Sequence, residues 1–466
     1  MKEKKKKIDG SIVLAKYVTG VTYDALPAEV VEAAKKDILD TLGVAIAGSS
    51  VPGGREITEL VKEWQGKGES TLIMQSIRVP APFAALVNGT MAHALDFDDA
   101  YERAVLHAGV SSVPAAFAVA ERIGDVSGKA LIAAVTLGID VTCRLGDASN
   151  VDPSEVGFMY TSVYGFFGAA AAAGKLLNLN EEQMLNAFGI AYAQASGNFQ
   201  AVVDGALTKR MQAGFASSGG LMSALMASKG LTGARESLEG QKGLFPVYLQ
   251  GNYNPEALAA DLGQQFAVVD LSFKPYPCCR ATHPAIDAAL ALARDYNIAP
   301  EAVDEISVVT GEAARLICEP LEVKQNPRVF VDAQFSIPWM VATALVKGKV
   351  TIDDVTPEAI TNKRVLAMAS RVKPEIDDRI GSGRGTPPAE VRIKMKGTDT
   401  VYSKKEDLPK GHPNKPMNWA ELCDKFRDCA SHGAKALSGD HIQKVIQMIT
   451  DLERVKDVGE IMKLLS

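Results

Sequence analysis

From about Leu26 to Gln265 the apolar positions recur at helical spacing, and the strict alternation of a strand is nearly absent. The stretch PAEVVEAAKKDILDTLGVAIAG opens with Pro27 in a first-turn position and closes at Gly48. Between them Val30, Val31, Ala34, Ile38, Leu42 and Val44 fall near one broad face. The same spacing predicts helices in PFAALVNGTMAHALDFDDA, SSVPAAFAVAERIG, GKALIAAVTLGIDVTCRLG, YGFFGAAAAAGKLLNLNEEQMLNAFGIAYAQASG and GFASSGGLMSALMASKGLTG. Alanine and glycine are abundant on these segments. Small side chains let helix axes approach closely, so the pattern predicts a tightly packed all-helical domain. No repeat of fixed period runs through it.

The texture changes near residue 266. FAVVDLSFKPYP and VDEISVVTG are rich in valine and serine and read as strands. AEVRIKMKGTDTVYSKKE alternates Val391, Ile393 and Met395 with Glu390, Arg392, Lys394 and Lys396, which predicts a half-exposed strand, a turn and a second strand. HPAIDAALALARDY and IPWMVATALVKGK read as intervening helices. The final stretch returns to amphipathic helix, expected to pack back onto the first domain. The predicted class is mainly α: an all-helical domain of residues 1–265 plus 410–466, and a smaller α+β domain of residues 266–409.

Composition supports this division. The chain has 466 residues, 47% of them hydrophobic, more than one ordinary domain holds. Charged residues make up 23% and the formal net charge is −6, which points away from a nucleic-acid partner. The start, MKEKKKK, reads as a solvated tail, because the IDGSIVLAKYVTG that follows is broken by Asp9, Gly10 and Lys16 and cannot serve as a secretion signal. No stretch reaches the roughly 18 uninterrupted apolar residues of a membrane span. The six cysteines include the adjacent Cys278 and Cys279 and form no pair of CxxC motifs, so structural zinc is not expected and a reduced, cytoplasmic protein is.

Three segments carry candidate chemistry. In GTMAHALDFDDAYERAVLHAG, His93, Asp96 and Asp99 are spaced three apart and would share a face if helical, with Asp98 and His107 close by. Three readings fit this spacing: capping and mutual pairing, an acid–base cluster, or a divalent metal, although no HExxH or calcium-loop pattern is present. In QAVVDGALTKRMQAGFASSGG, Lys209 and Arg210 stand beside an expected helix start at Gly214 and are either carboxylate holders or surface cations near a cap. In FKPYPCCRATHPAID, two prolines stiffen the chain around Lys274 and Tyr276, with Arg280 and His283 following. This loop lies where the two domains meet, a common place for a cleft. Its cysteines read as space-fillers rather than nucleophiles. The glycine-rich GSGRGTPP and SSGG lack dinucleotide or P-loop spacing, so no nucleotide is expected.

Taken together, NGTMAHALDFDD, SSVPAAFAVAE, GFFGAAAAAGKLLNLNEEQ, LTKRMQAGFASSGGLMSALMASKGLTG, FKPYPCCRATHPAIDAAL, AQFSIPWMVATAL and GHPNKPMNWAELCDKFR resemble the MmgE/PrpD family, in matching order from about residue 10 to 460. The family includes 2-methylcitrate dehydratases, cis-aconitate decarboxylases and iminodisuccinate epimerases. The resemblance implies a helical domain built from both ends of the chain, an inserted α+β lid, a homodimer, and no metal or other cofactor. It implies that Asp96 is the first aspartate of the DFDD motif and His107 the histidine downstream. Lys209 falls on the KxxHxG lysine, and Lys274 and His283 on the K-x-YP-C…H motif. Three positions depart from the pattern. Met159, beside Tyr160 in GFMYT, replaces a usual histidine; Gln212 replaces the histidine of KxxHxG; Trp339 replaces the tyrosine of FSxPY.

The reactions of this family build negative charge on a carbon beside a carboxylate, which cations must hold while a base and an acid move protons. His107, Asp96, Lys209 and Tyr160 are the expected catalytic residues, His107 moving the proton because imidazole titrates near neutrality. Lys274, His283, Arg280, Arg210, Met159, Gln212 and Trp339 are the expected substrate-binding residues. The leading expectation is a cofactor-independent lyase on a small di- or tricarboxylate, a hydro-lyase resembling 2-methylcitrate dehydratase. A decarboxylase, an iminodisuccinate-type epimerase and a non-catalytic carboxylate-binding dimer are the alternatives.

Overall fold

A computed structural model describes residues 8–380 and 385–466. The MKEKKKK start and the GSGR of GSGRGTPP lie outside the described residues. The chain is mainly α. It divides into two compact units. Unit 1 takes the chain up to Ala94, then Arg103–Leu271 and Trp419–Ser466; unit 2 takes Leu95–Glu102 and Ser272–Asn418. These boundaries differ from the expected ones at 265/266 and 409/410, and the excursion of Leu95–Glu102 into unit 2 has no local signal in the sequence.

Unit 1 is built from closely packed helices. Helix α1, Ala28–Gly48, follows Pro27, and Val30, Val31, Ala34, Ile38, Leu42 and Val44 are all buried. Helices α2 (Ala81–Ala92), α3 (Gly109–Ile123), α4 (Gly128–Ala148), α5 (Tyr160–Leu176) and α6 (Thr208–Ser228) supply most of the remaining core. Their small residues mark where backbones touch. A Cβ at Gly214 of α6 would sit 2.3 Å from the Leu86 carbonyl oxygen of α2, and one at Gly168 of α5 would sit 2.6 Å from the Gly138 carbonyl of α4. Larger side chains there would force the helices apart, losing the contacts that hold the interior together. Helix α6 starts at Thr208, so Gly214 is a packing residue inside the helix and not its first turn. Helix Trp419–Ser431 also belongs to unit 1, where Lys425 pairs with Asp40 of α1 at 2.7 Å. Among the described residues no helix is long and apolar enough to cross a membrane.

Unit 2 combines helices α7 (His283–Asp295) and α8 (Ile337–Lys347) with a four-stranded sheet. Its strands are β1 (Val303–Thr310), β2 (Val372–Ile376), β3 (Ala389–Met395) and β4 (Val401–Glu406), in the order β2-β1-β3-β4. Strands β1 and β2 are parallel and the other neighbours antiparallel. In β3, Val391 and Ile393 are fully buried while Arg392 and Lys394 face out, and Gly397 takes the left-handed turn conformation (φ +71°) before β4. Strand β2 contains Pro374, which hides it from a propensity reading; as an edge strand it tolerates the missing N–H.

FAVVDLSFKPYP is not a strand. Ala267–Asp270 is a short 3-10 turn, and Ser272 makes only an isolated bridge to Ala100. Val268 is buried but Val269 is exposed, and Pro275 and Pro277 remove the N–H groups a ladder needs.

Candidate functional site

Unit 1 gathers one group of the expected residues. Helix α2 ends at Ala92, and His93 stands just beyond it with φ −101°. The His93 and His107 rings meet edge to face, their centroids 4.9 Å apart. His107 is half-buried, and its backbone N–H donates to Thr161 Oγ1 (3.1 Å) in the first turn of α5. Val105, two residues before His107, holds φ +54°. That left-handed conformation is an outlier for a β-branched residue, a sign that its surroundings dictate the local path.

Met159 precedes α5, and the Gln212 amide approaches its sulfur at 3.3 Å (Nε2 to Sδ). The same Gln212 Nε2 donates to the Asn198 carbonyl (3.0 Å), and Gln212 Oε1 accepts from the Asn198 N–H (2.6 Å). Two of the three departures from the family pattern therefore touch each other. Lys209 lies three residues before Gln212 on α6, so it shares that face of the helix.

Two further residues of unit 1 are engaged elsewhere. Arg210 Nη1 donates to the Pro52 carbonyl at 2.8 Å, with its side chain against Gly53, so it ties down that loop. The Tyr160 hydroxyl donates to the Val151 carbonyl (2.9 Å), and its ring packs on Tyr164. Arg210 was expected to hold a carboxylate and Tyr160 to move a proton; each also makes a structural bond to a backbone carbonyl. One turn of helix explains the first result. Neighbours on a helix diverge by about 100°, so Lys209 and Arg210 cannot face the same way.

Unit 2 gathers the second group. His93, Asp96 and Asp99 do not share a helix face, because the helix stops before them. Asp96 adopts φ +53°, a left-handed conformation that aspartate tolerates better than most residues. In that geometry both its backbone carbonyl (2.9 Å) and its carboxylate accept from Lys274 Nζ. Lys274 has no exposed surface at all. Burial alone would favour its neutral amine, but the Asp96 carboxylate, with Asp98 beyond it, reverses this and raises its pKa. The pair is thus a fixed cation and anion inside the protein. Gln334 clips the segment in place, donating to the Leu95 and Pro277 carbonyls at 2.6 and 3.3 Å.

Arg280 is held at Nε and Nη1. Nε donates to Glu102 Oε1 (2.8 Å), Nη1 to the Lys410 carbonyl (2.8 Å), and Nη1 also faces His283 Nδ1 at 3.1 Å. It was expected to hold a substrate carboxylate; its Nε and Nη1 are spent on protein acceptors, and Nη2 has the Pro409 carbonyl at 3.5 Å. The Cys278 thiol is buried against Thr282 Oγ1 (3.0 Å), and burial pushes its pKa up, so it fills space and is no nucleophile. Trp339 lies in the first turn of α8, buried, and among the described residues its Nε1–H has no acceptor.

Glu102 and Gln334 were not found by sequence reasoning. Glu102 sits in the acidic stretch GTMAHALDFDDAYERAVLHAG, but nothing local links it to an arginine far along the chain.

Comparisons with known proteins identify the family. The MmgE/PrpD N-terminal domain model matches residues 13–256, and the MmgE/PrpD C-terminal domain model matches residues 276–451. A cis-aconitate decarboxylase-like protein of Aspergillus oryzae is 28% identical, covering 97% of this chain and 96% of the relative. The cis-aconitate decarboxylase of Homo sapiens is 28% identical over 96% of this chain and 92% of its own length. A 2-methylcitrate dehydratase of Escherichia coli O157:H7 is 23% identical over 90% and 89%. With motifs, matched domains and near full-length relatives in agreement, the chain belongs to the MmgE/PrpD family.

Proposed function

We propose that this chain is a lyase acting on a small di- or tricarboxylate, with His107 as the proton-transfer group and Lys274 as the cation that steadies the developing negative charge. The observation that carries the reading is the buried Asp96–Lys274 pair. A wholly buried ammonium held at a fixed point by a carboxylate and a backbone carbonyl costs several kcal/mol in desolvation. A preorganised charge of that kind stabilises an anionic transition state without having to reorganise. Asp96, in contact with the ammonium, sets its position and its charge.

The relatives' names leave two reactions, loss of CO₂ from cis-aconitate and loss of water from 2-methylcitrate. Both pass electron density to a carbon conjugated with a carboxylate. Dehydration needs a base for the C–H proton and an acid for the departing hydroxide. Decarboxylation breaks a C–C bond, leaves the electron pair on carbon and needs one proton delivered there. At positions 159 and 212, where the family pattern has histidines, this chain has a thioether and an amide held by the Asn198 backbone. Neither group titrates, so the proton-transfer apparatus is reduced. The resemblance gives that histidine at position 159 to decarboxylases and dehydratases alike, so its loss sets this chain apart from both and leaves both reactions to the assay.

Incubating the purified protein with cis-aconitate, 2-methylcitrate and related hydroxy-acids, while following CO₂ release and alkene absorbance, tests the reading. CO₂ from cis-aconitate supports the decarboxylase form, and alkene formation from a hydroxy-acid the hydro-lyase form. Solvent deuterium entering an α-carbon with neither product points to epimerisation. If nothing turns over across the panel, the lyase reading fails.

A further inference from the structure

The buried His283 of unit 2 carries information about its own proton. Its Nδ1 lies 3.1 Å from Arg280 Nη1, and its Nε2 lies 3.3 Å from the Cys278 carbonyl oxygen. A guanidinium has donors only, so Nδ1 must be the acceptor. A carbonyl oxygen accepts only, so Nε2 must carry the hydrogen. One tautomer of the neutral ring satisfies both contacts. A protonated ring would set an N–H against an N–H.

We infer that Glu102 is a positioning residue: through Arg280 it locks His283 as the neutral Nε2–H imidazole, and this ring braces the turn that carries Lys274. Glu102 Oε1 accepts from Arg280 Nε at 2.8 Å and from Ser272 Oγ at 2.5 Å, which fixes the guanidinium's plane. The Lys410 carbonyl holds Nη1 from another side. Burial lifts the Glu102 carboxyl, but the Arg280 charge and the hydroxyls of Ser272 and Thr386 outweigh it, so Glu102 stays ionised.

The groups around His283 agree. Arg280 and Lys274 are cationic, the Asp96 carboxylate is already paired with Lys274, and the Tyr276 ring packs 5.1 Å from the imidazole. The Tyr276 hydroxyl donates to Asp287 Oδ1 (2.8 Å) and offers no base. Burial first, then the charges of Arg280 and Lys274, hold the imidazole well below its ordinary pKa. With both ring nitrogens engaged inside the loop, His283 acts on the reaction through the turn. For the reaction this matters only if Lys274 serves as proposed above; the tautomer itself stands apart from that reading.

The test uses the full-length protein labelled with ¹⁵N-histidine, with a His283→Gln variant to assign the His283 signals among the six histidines. In the unaltered protein His283 should show the Nε2–H pattern and should not titrate between about pH 5 and 8. In Glu102→Gln, Arg280 loses its charged anchor at Nε and is left with the backbone carbonyl at Nη1, so the donor to Nδ1 is held less firmly. The two tautomers should then mix and the ring begin to titrate in that window. Turnover should fall by up to roughly 100-fold, chiefly in kcat, with a new loss of rate on the acid side. Glu102→Asp, which keeps the charge, should restore part of both signals. Titration of His283 near its ordinary pKa in the unaltered protein, or unchanged His283 signals in Glu102→Gln, overturns the inference. Absent turnover with the expected tautomer would instead sink the lyase reading and leave this one intact.

Discussion

In unit 2 the polar residues around Lys274 come in matched pairs. Lys274 meets Asp96, Arg280 meets Glu102, and His283 lies neutral between a donor and an acceptor. In unit 1 the residues at family motif positions are less polar: Met159 touches Gln212, and Gln212 spends its amide on the Asn198 backbone. His107 there is half-buried, whereas Lys274 is sealed. The contrast suggests a division of labour. A fixed charge framework suits what a family's reactions have in common, namely holding an anion as charge develops. A corner where this chain departs from the family pattern suits what tells substrates and leaving groups apart.

The sharpest break in that comparison would come at His107. If it delivers the proton, His107→Gln should lower kcat by about 10²–10⁴-fold while stability changes by only about 1 kcal/mol. Steady-state kinetics with chemical denaturation on the same samples checks both halves. A variant that keeps its rate would move proton transfer to another group. Lys274→Met should behave differently, because it strands the Asp96 carboxylate in the interior. Breaking a buried pair in this way costs about 3–5 kcal/mol, so activity and folding stability should fall together. A Lys274→Met protein of unchanged stability would show that the pair is better solvated than its burial implies.

The pH dependence of stability separates the units next. His283 in the folded protein binds a proton only well below its ordinary pKa, while the unfolded chain binds one near pH 6.5. Below about pH 6.5 the unfolded state therefore holds more protons, and stability should fall as pH drops, by about 1.4 kcal/mol per pH unit for this group. Glu102, with a lowered pKa, adds to the loss in the same direction only below its unfolded value, near pH 4.3–4.5. Denaturation midpoints of His283→Gln between about pH 5 and 7 should lack the first slope. An unchanged slope in that variant would assign it to other groups.

The sequence disclosed some of this readily. Helix spacing marks the buried face of α1, and the abundance of glycine and alanine anticipates contacts such as Gly214 on Leu86 and Gly168 on Gly138. The motif order names Asp96, Lys274 and His107. Other features are hidden for physical reasons. Strand β2 carries a proline that only its edge position permits. The turn at Asp96 depends on a left-handed residue, which local pattern cannot distinguish from a continuing helix. The pairing of Glu102 with Arg280 joins residues 178 positions apart, so spacing cannot reveal it. Arg210 and Tyr160 look available in the sequence because their acceptors, Pro52 and Val151, are backbone carbonyls, and any residue type can supply one.

The smallest expected effect tests whether the changed corner of unit 1 is one feature or two. Met159 and Gln212 contact through a sulfur and an amide N–H, a weak interaction compared with the Asn198 bonds beside it. If they changed as a unit, a double-mutant cycle with Met159→Leu and Gln212→Met should return a coupling energy of at least about 0.5 kcal/mol. Met159→Leu keeps the volume and removes the acceptor, so alone it should cost less than about 1.5 kcal/mol. Gln212→Met also leaves the Asn198 N–H and carbonyl without their partner and should cost about 1–3 kcal/mol. Additive effects would mean that each residue answers to its own surroundings. Specificity at this corner would then rest on two separate substitutions, and the argument for a reduced proton-transfer apparatus would have to be made for each position alone.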